Sequence, residues 1–193
     1  MDSSLGMVDF NYEMRYIEAV LPQMEKYLHL RELYRLVFVS RQEEEPPYPS
    51  LTLGTFLLAL KRARGFAQSA AEHSRWQKAA LEVEDLRRRW HRAWLDKAKL
   101  DASSRLRRWE DFLREYWQKP ADQIDRYAYE ARNRVILELL KEETQETLEI
   151  WDRLAQLDQR LRERWIQGEF LWEKEQAAQF PPAPYWFLWG RPL

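Results

Sequence analysis

Apolar residues recur with helical spacing along most of the chain. Tyr12, Tyr16, Ile17, Val20, Met24, Tyr27 and Leu28 share one face, which predicts an amphipathic helix. Pro22 lies inside that run and is expected to kink the helix or start a second one, because its ring removes an N–H and crowds the carbonyl one turn earlier. Residues 30–39, LRELYRLVFV, read two ways. Leu33, Leu36 and Val37 suit a short helix, whereas LVFV alone suits a strand.

The next stretch, SRQEEEPPYPS over 40–50, has three prolines and an acidic run and predicts a loop. Ser50 or Thr52 is then placed to cap a helix carrying Phe56, Leu57, Leu60 and Arg64. Gly65 either ends or weakens it. From Ala67 to Gln118 there is neither Gly nor Pro. Leu86, Trp90, Ala93, Trp94, Lys97 and Leu100 form one stripe. Leu106, Trp109, Phe112, Leu113, Tyr116 and Trp117 resume it out of register. The slip predicts a break near Asp101–Ser104, or two helices in an antiparallel hairpin.

Pro120, with Asp122 and Asp125 behind it, predicts a new helix start. Ile124, Tyr127, Ala128, Ala131, Val135 and Leu139 line its face. Another face begins at Thr147 or Leu148 and continues through Trp151, Leu154, Leu157 or Asp158, Leu161 and Trp165. Gly168 reads as punctuation, with helix resuming to Gln179. Pro181, Pro182 and Pro184 then forbid helix and predict an extended segment. Five large apolar residues follow, Tyr185, Trp186, Phe187, Leu188 and Trp189.

These patterns predict an all-α protein. The expected form is an elongated bundle of four to six helices, with a long central helical hairpin and an extended Pro/aromatic C-terminal tail. A single domain is expected over 1–193, with N-terminal helices over 1–39 and a Pro-rich loop over 40–51. Long helices follow over 52–179, then the tail over 180–193. Only five glycines occur in 193 residues, and β-rich folds need turn glycines.

Ten Trp, nine Tyr and eight Phe indicate a packed chain, since disordered chains are poor in aromatics. There is no cysteine, which excludes disulfides, thiolate metal sites and a thiol nucleophile. No apolar run approaches the ~18 residues of a membrane span, and MDSSLGMVDF lacks the basic start and apolar run of a secretory signal. The cytoplasm is the default expectation.

Net charge is −1, but unevenly spread. Residues 1–50 carry five Lys/Arg against nine Asp/Glu. Residues 51–120 carry sixteen against nine, and residues 121–193 ten against fourteen. The basic middle holds Arg88, Arg92, Arg107 and Arg108 as candidate polyanion contacts, with nearby Trp able to stack on bases. The leading reading is that this basic stretch packs beside acidic helices, with Glu82, Glu84 and Asp85 available as ion-pair partners.

Chemistry-bearing motifs are sparse. The glycines are isolated, so no phosphate-cradling loop is present. His29, His73 and His91 have Lys26, Ala70 and Arg88 three residues earlier, so the Glu-x-x-His of carboxylate-bridged di-metal sites is missing. Glu25 and His29 could meet one helical turn apart. No cofactor or metal is expected.

The function expected by elimination is a non-enzymatic interaction or scaffold protein able to self-associate. Tyr185, Trp186, Phe187, Leu188 and Trp189 would dock either on the chain's own helices or on a protein partner. The alternatives are a nucleic-acid-binding component using residues 87–108, or an enzyme with a carboxylate-lined site.

Overall fold

A computed structural model describes residues 8–144 and 149–193. The start proposed at Thr147 or Leu148, and the side chain of Asp122, lie outside what it describes. The chain is mostly helical and divides into two compact units, 1–97 and 98–193.

The first unit opens with α1, Phe10–His29, capped by Asp9, whose carboxylate accepts the Tyr12 N–H at 2.8 Å. The apolar stripe read from sequence is buried along it. Pro22 sits inside α1 without ending it. Next comes α2, Leu53–Phe66, whose start is set as expected by Thr52. The Thr52 and Thr55 side chains satisfy each other's backbone N–H groups in a capping box. Gly65 is absorbed into this helix. Then α3, Ala70–Arg89, begins at a second box made by Ser69 and Glu72. Helices α1, α2 and α3 pack on one another. Their seam holds a buried Glu13 carboxylate 3.1 Å from Arg62.

The break expected at Asp101–Ser104 occurs instead at Trp90. This residue leaves helical geometry (φ −114°, ψ 33°), and α4 then runs His91–Gln118 without interruption. The apolar-seam reading failed because two polar residues lie inside. Asp101 and Arg105 are both buried. Arg105 donates to Asp101 at 3.2 Å and to Asn133 at 3.0 Å. Buried charge is tolerated where it is paired and hydrogen-bonded.

In the second unit α5, Pro120–Thr144, starts at the predicted proline. The later part of α4 and α5 form an antiparallel hairpin that turns at Lys119. Tyr116 meets Tyr127 near the turn, while Arg105 reaches Asn133 farther from it. Helix α6, Glu149–Arg162, buries Trp151, Leu154, Leu157 and Leu161.

Residues 165–170 depart from expectation. They form not helix but a strand, β1 (Trp165–Phe170), paired antiparallel with β2 (Trp189–Pro192). Gly190 makes this pairing possible. Its φ is +141°, and a Cβ there would lie 2.1 Å from the Ile166 carbonyl oxygen.

The Pro-rich half of the tail is extended as expected at Pro181 (φ −61°, ψ 161°) and Ala183 (φ −117°, ψ 117°), and the aromatic half departs from that path. That half folds as a 3-10 turn at Trp186–Leu188 and then β2. Five bulky apolar residues in a row cannot all face one side of an extended chain, because successive side chains alternate. Coiling turns Tyr185, Phe187 and Leu188 inward together.

Candidate functional site

The aromatic tail was one of two surfaces proposed from sequence, and it lies mostly inside the second unit. Tyr185, Phe187 and Leu188 are buried, while Trp186 and Trp189 are half-buried. The Tyr127 hydroxyl donates to the Phe187 carbonyl at 3.0 Å, and Tyr116 donates to the Pro192 carbonyl at 2.9 Å. The Trp189 indole N–H donates to the Phe180 carbonyl at 2.8 Å. Arg134 lies 4.6 Å from the Phe187 ring centre, and Arg162 lies 3.9 Å from that of Trp186. The tail therefore packs in cis.

Three of the basic residues pair within their own helix. Arg88 and Arg89 both pair with Asp85, at 3.0 and 2.8 Å, and Arg87 pairs with Glu84. Arg105 is buried. Arg92, Arg107 and Arg108 are exposed. The Glu25/His29 pair does not form through the carboxylate: the His29 ring nitrogen Nδ1 lies 2.8 Å from the Glu25 backbone carbonyl oxygen. Among the described residues no group of three or more His, Asp or Glu is placed to hold a metal ion, and no helix is long and apolar enough to cross a membrane.

Sequence reasoning missed a third surface. Between α1 and α2 the chain runs extended, with burial alternating strictly from Leu33 to Ser40. Leu33, Arg35, Val37 and Val39 face inward. Tyr34, Leu36 and Phe38 face outward, at 38%, 77% and 97% exposure. The period of two is the strand signature. The helix half of the ambiguous reading is not met, and the LVFV half is met only in the alternation, since 36–39 form no ladder.

One antiparallel bridge supports this strand. The Arg35 N–H donates to the Leu51 carbonyl at 3.0 Å, and the Leu51 N–H donates to the Arg35 carbonyl at 2.7 Å. Continuing that register would set Pro49 across from Val37 and Pro47 across from Val39. Proline has no N–H to donate, so the ladder stops after one bridge. Among the described residues the backbone groups of 36–40 make no hydrogen bond. Alternation turns those of Leu36 and Phe38 toward the edge away from Leu51.

The loop beyond is tied down. Glu45 accepts the Gln42 N–H at 2.8 Å and is paired with Arg15, while the Arg41 guanidinium donates to the Glu45 carbonyl at 2.7 Å. Tyr48 stacks on Tyr12 with ring centres 4.3 Å apart, and its hydroxyl donates to the Tyr12 carbonyl at 3.2 Å. The Gln42 N–H, and then Arg15, hold the Glu45 carboxyl below its ordinary range.

A carboxyl held low in the folded state adds stability that is complete above its unfolded pKa of about 4.3 and disappears as pH falls through the lowered value. Acidification from about pH 5 is therefore expected to loosen residues 40–48. Amide hydrogen exchange of this loop checks the effect, and Glu45→Gln should remove that part of the pH dependence.

Comparisons with protein-family models, with curated proteins and with solved structures found no match.

Proposed function

We propose that this chain is a protein-interaction module rather than a catalyst, and that it works through the extended segment Leu33–Ser40. The observation that carries this reading is the outward pair Leu36 and Phe38. Two large apolar side chains stand almost fully in water beside backbone groups that make no hydrogen bond among the described residues. A strand with an apolar face and an open edge is a template for pairing with another chain, and strand addition is a common mode of polypeptide recognition. A cytoplasmic setting and self-association belong to the same proposal.

The test places a photo-crosslinking phenylalanine analogue at position 38 in the cell. A polypeptide adduct is expected, and it should be lost in a Leu36→Asp background of unchanged circular dichroism. Absence of any adduct overturns the reading.

The exposure of Arg92 and Arg107 favours a second reading, nucleic-acid binding by the basic middle of the chain. Titration with single- and double-stranded nucleic acid across a salt series separates the two. Salt-steep binding abolished by charge reversal at Arg88, Arg92, Arg107 and Arg108 would support the second reading. No binding at low salt would remove it.

A further inference from the structure

We infer that the occupant of the Leu33–Ser40 edge is the same edge of a second copy of this chain, paired antiparallel about Val37. The inference rests on the interaction reading above and names its partner. Three features lead to it.

The first is edge polarity. The backbone groups of Leu36 and Phe38 point outward from the Leu51 side, so two copies related by a two-fold axis can pair Leu36 of one with Phe38 of the other, and the reverse. This sets the two most exposed large apolar side chains among the described residues against each other across the strands. Val37 then meets its own counterpart in the closer, non-hydrogen-bonded type of pair.

The second is charge complementarity, which selects the register. Centring the pair on Leu36 sets Arg31 against Arg41, and centring it on Phe38 sets Arg35 against Arg41. Centring it on Val37 brings the exposed Arg31 of each copy toward the exposed Glu43 of the other. Like charges opposite each other destabilise a strand pair, and opposite charges stabilise it.

The third is closure and size. Pro47 and Pro49 deny further pairing on the near edge, so association ends at two copies instead of growing into a fibre. Leu36 and Phe38 withdraw on the order of 300–400 Å² of apolar side chain per copy. That is below the ~800 Å² per partner of a standard interface. The dimer accordingly belongs to the weak, transient class of association.

The natural lack of cysteine makes the test direct. Single-cysteine variants Val37→Cys and Ser40→Cys are oxidised at about 100 μM protein and run on non-reducing gels. In the Val37-centred register the thiols of two Val37→Cys copies face each other at disulfide distance, whereas those of two Ser40→Cys copies lie about 20 Å apart. A disulfide dimer is expected for Val37→Cys and not for Ser40→Cys. Equal yields from both variants would overturn the register and the inference.

Sedimentation velocity supplies a readout that does not depend on substituting Val37. Glu43→Arg should weaken dimerisation about three- to tenfold, and the swap Arg31→Glu/Glu43→Arg should restore it. A wild-type chain that stays monomeric even at about 1 mM, a concentration at which weak pairs associate, overturns the inference. If such a monomer still yields adducts with another polypeptide from position 38, the interaction reading stands while the self-pairing fails. Loss of both signals sinks both.

Discussion

Truncation before Pro181 is expected to leave the second unit unable to fold. The missing segment takes with it the buried side chains of Tyr185, Phe187 and Leu188. Burial of side chains this size contributes about 1.5–3 kcal/mol each. It also takes β2, the strand partner of β1, and the carbonyls of Phe187 and Pro192 that accept from Tyr127 and Tyr116. Small domains are stable by only about 5–15 kcal/mol in total, so the loss consumes most or all of it. Phe187→Ala is the milder version, with an expected cost of about 3–5 kcal/mol. Denaturant unfolding followed by near-ultraviolet circular dichroism measures both. A truncated chain with unchanged unfolding behaviour would contradict the packing described for the tail.

Arg134→Met is expected to cost more than Asp158→Asn, although both break the same contact. Arg134 is buried on α5, donating to Asp158 at 2.8 and 3.0 Å and to Glu138 at 2.8 Å. Asp158→Asn keeps an acceptor oxygen beside Arg134 and leaves the cation matched one-to-one by Glu138. Methionine fills the space beside Phe187 but strips the cation from two carboxylates at once, and these are only 14% and 16% exposed. Stripping one partner from a buried pair costs about 3–5 kcal/mol. Thermal unfolding of the two single variants gives the order. Equal losses would mean that the pair's geometry, not the stranded charge, governs stability here.

Regular, local patterns were legible from sequence. The α1 stripe, the Thr52 cap and the Pro120 start each depend on residues within a turn or two. What escaped were features set by distant partners. Nothing near Trp165–Phe170 announces that residues 189–192 will arrive to pair with it. The Asp101–Arg105 pair looks like a polar interruption until Asn133 is seen to complete it.

The candidate surface was half legible. LVFV offered a strand, but the choice between helix and strand rests on the Leu51 bridge and on prolines that end the ladder. The tail was recognised as needing burial, yet its coiled path follows from the two tyrosine hydroxyls that receive it.

Those same hydroxyls have a further consequence. Burial pushes the Tyr127 phenol well above its ordinary value, and it pushes Tyr116 up as well. Above about pH 10 an unfolded chain ionises these phenols while the folded one keeps them protonated. Alkali therefore pulls on the second unit through its tail-holding groups, and a late rise in ultraviolet phenolate absorbance, after the exposed Tyr34 and Tyr129 have ionised, reports the moment that the tail lets go.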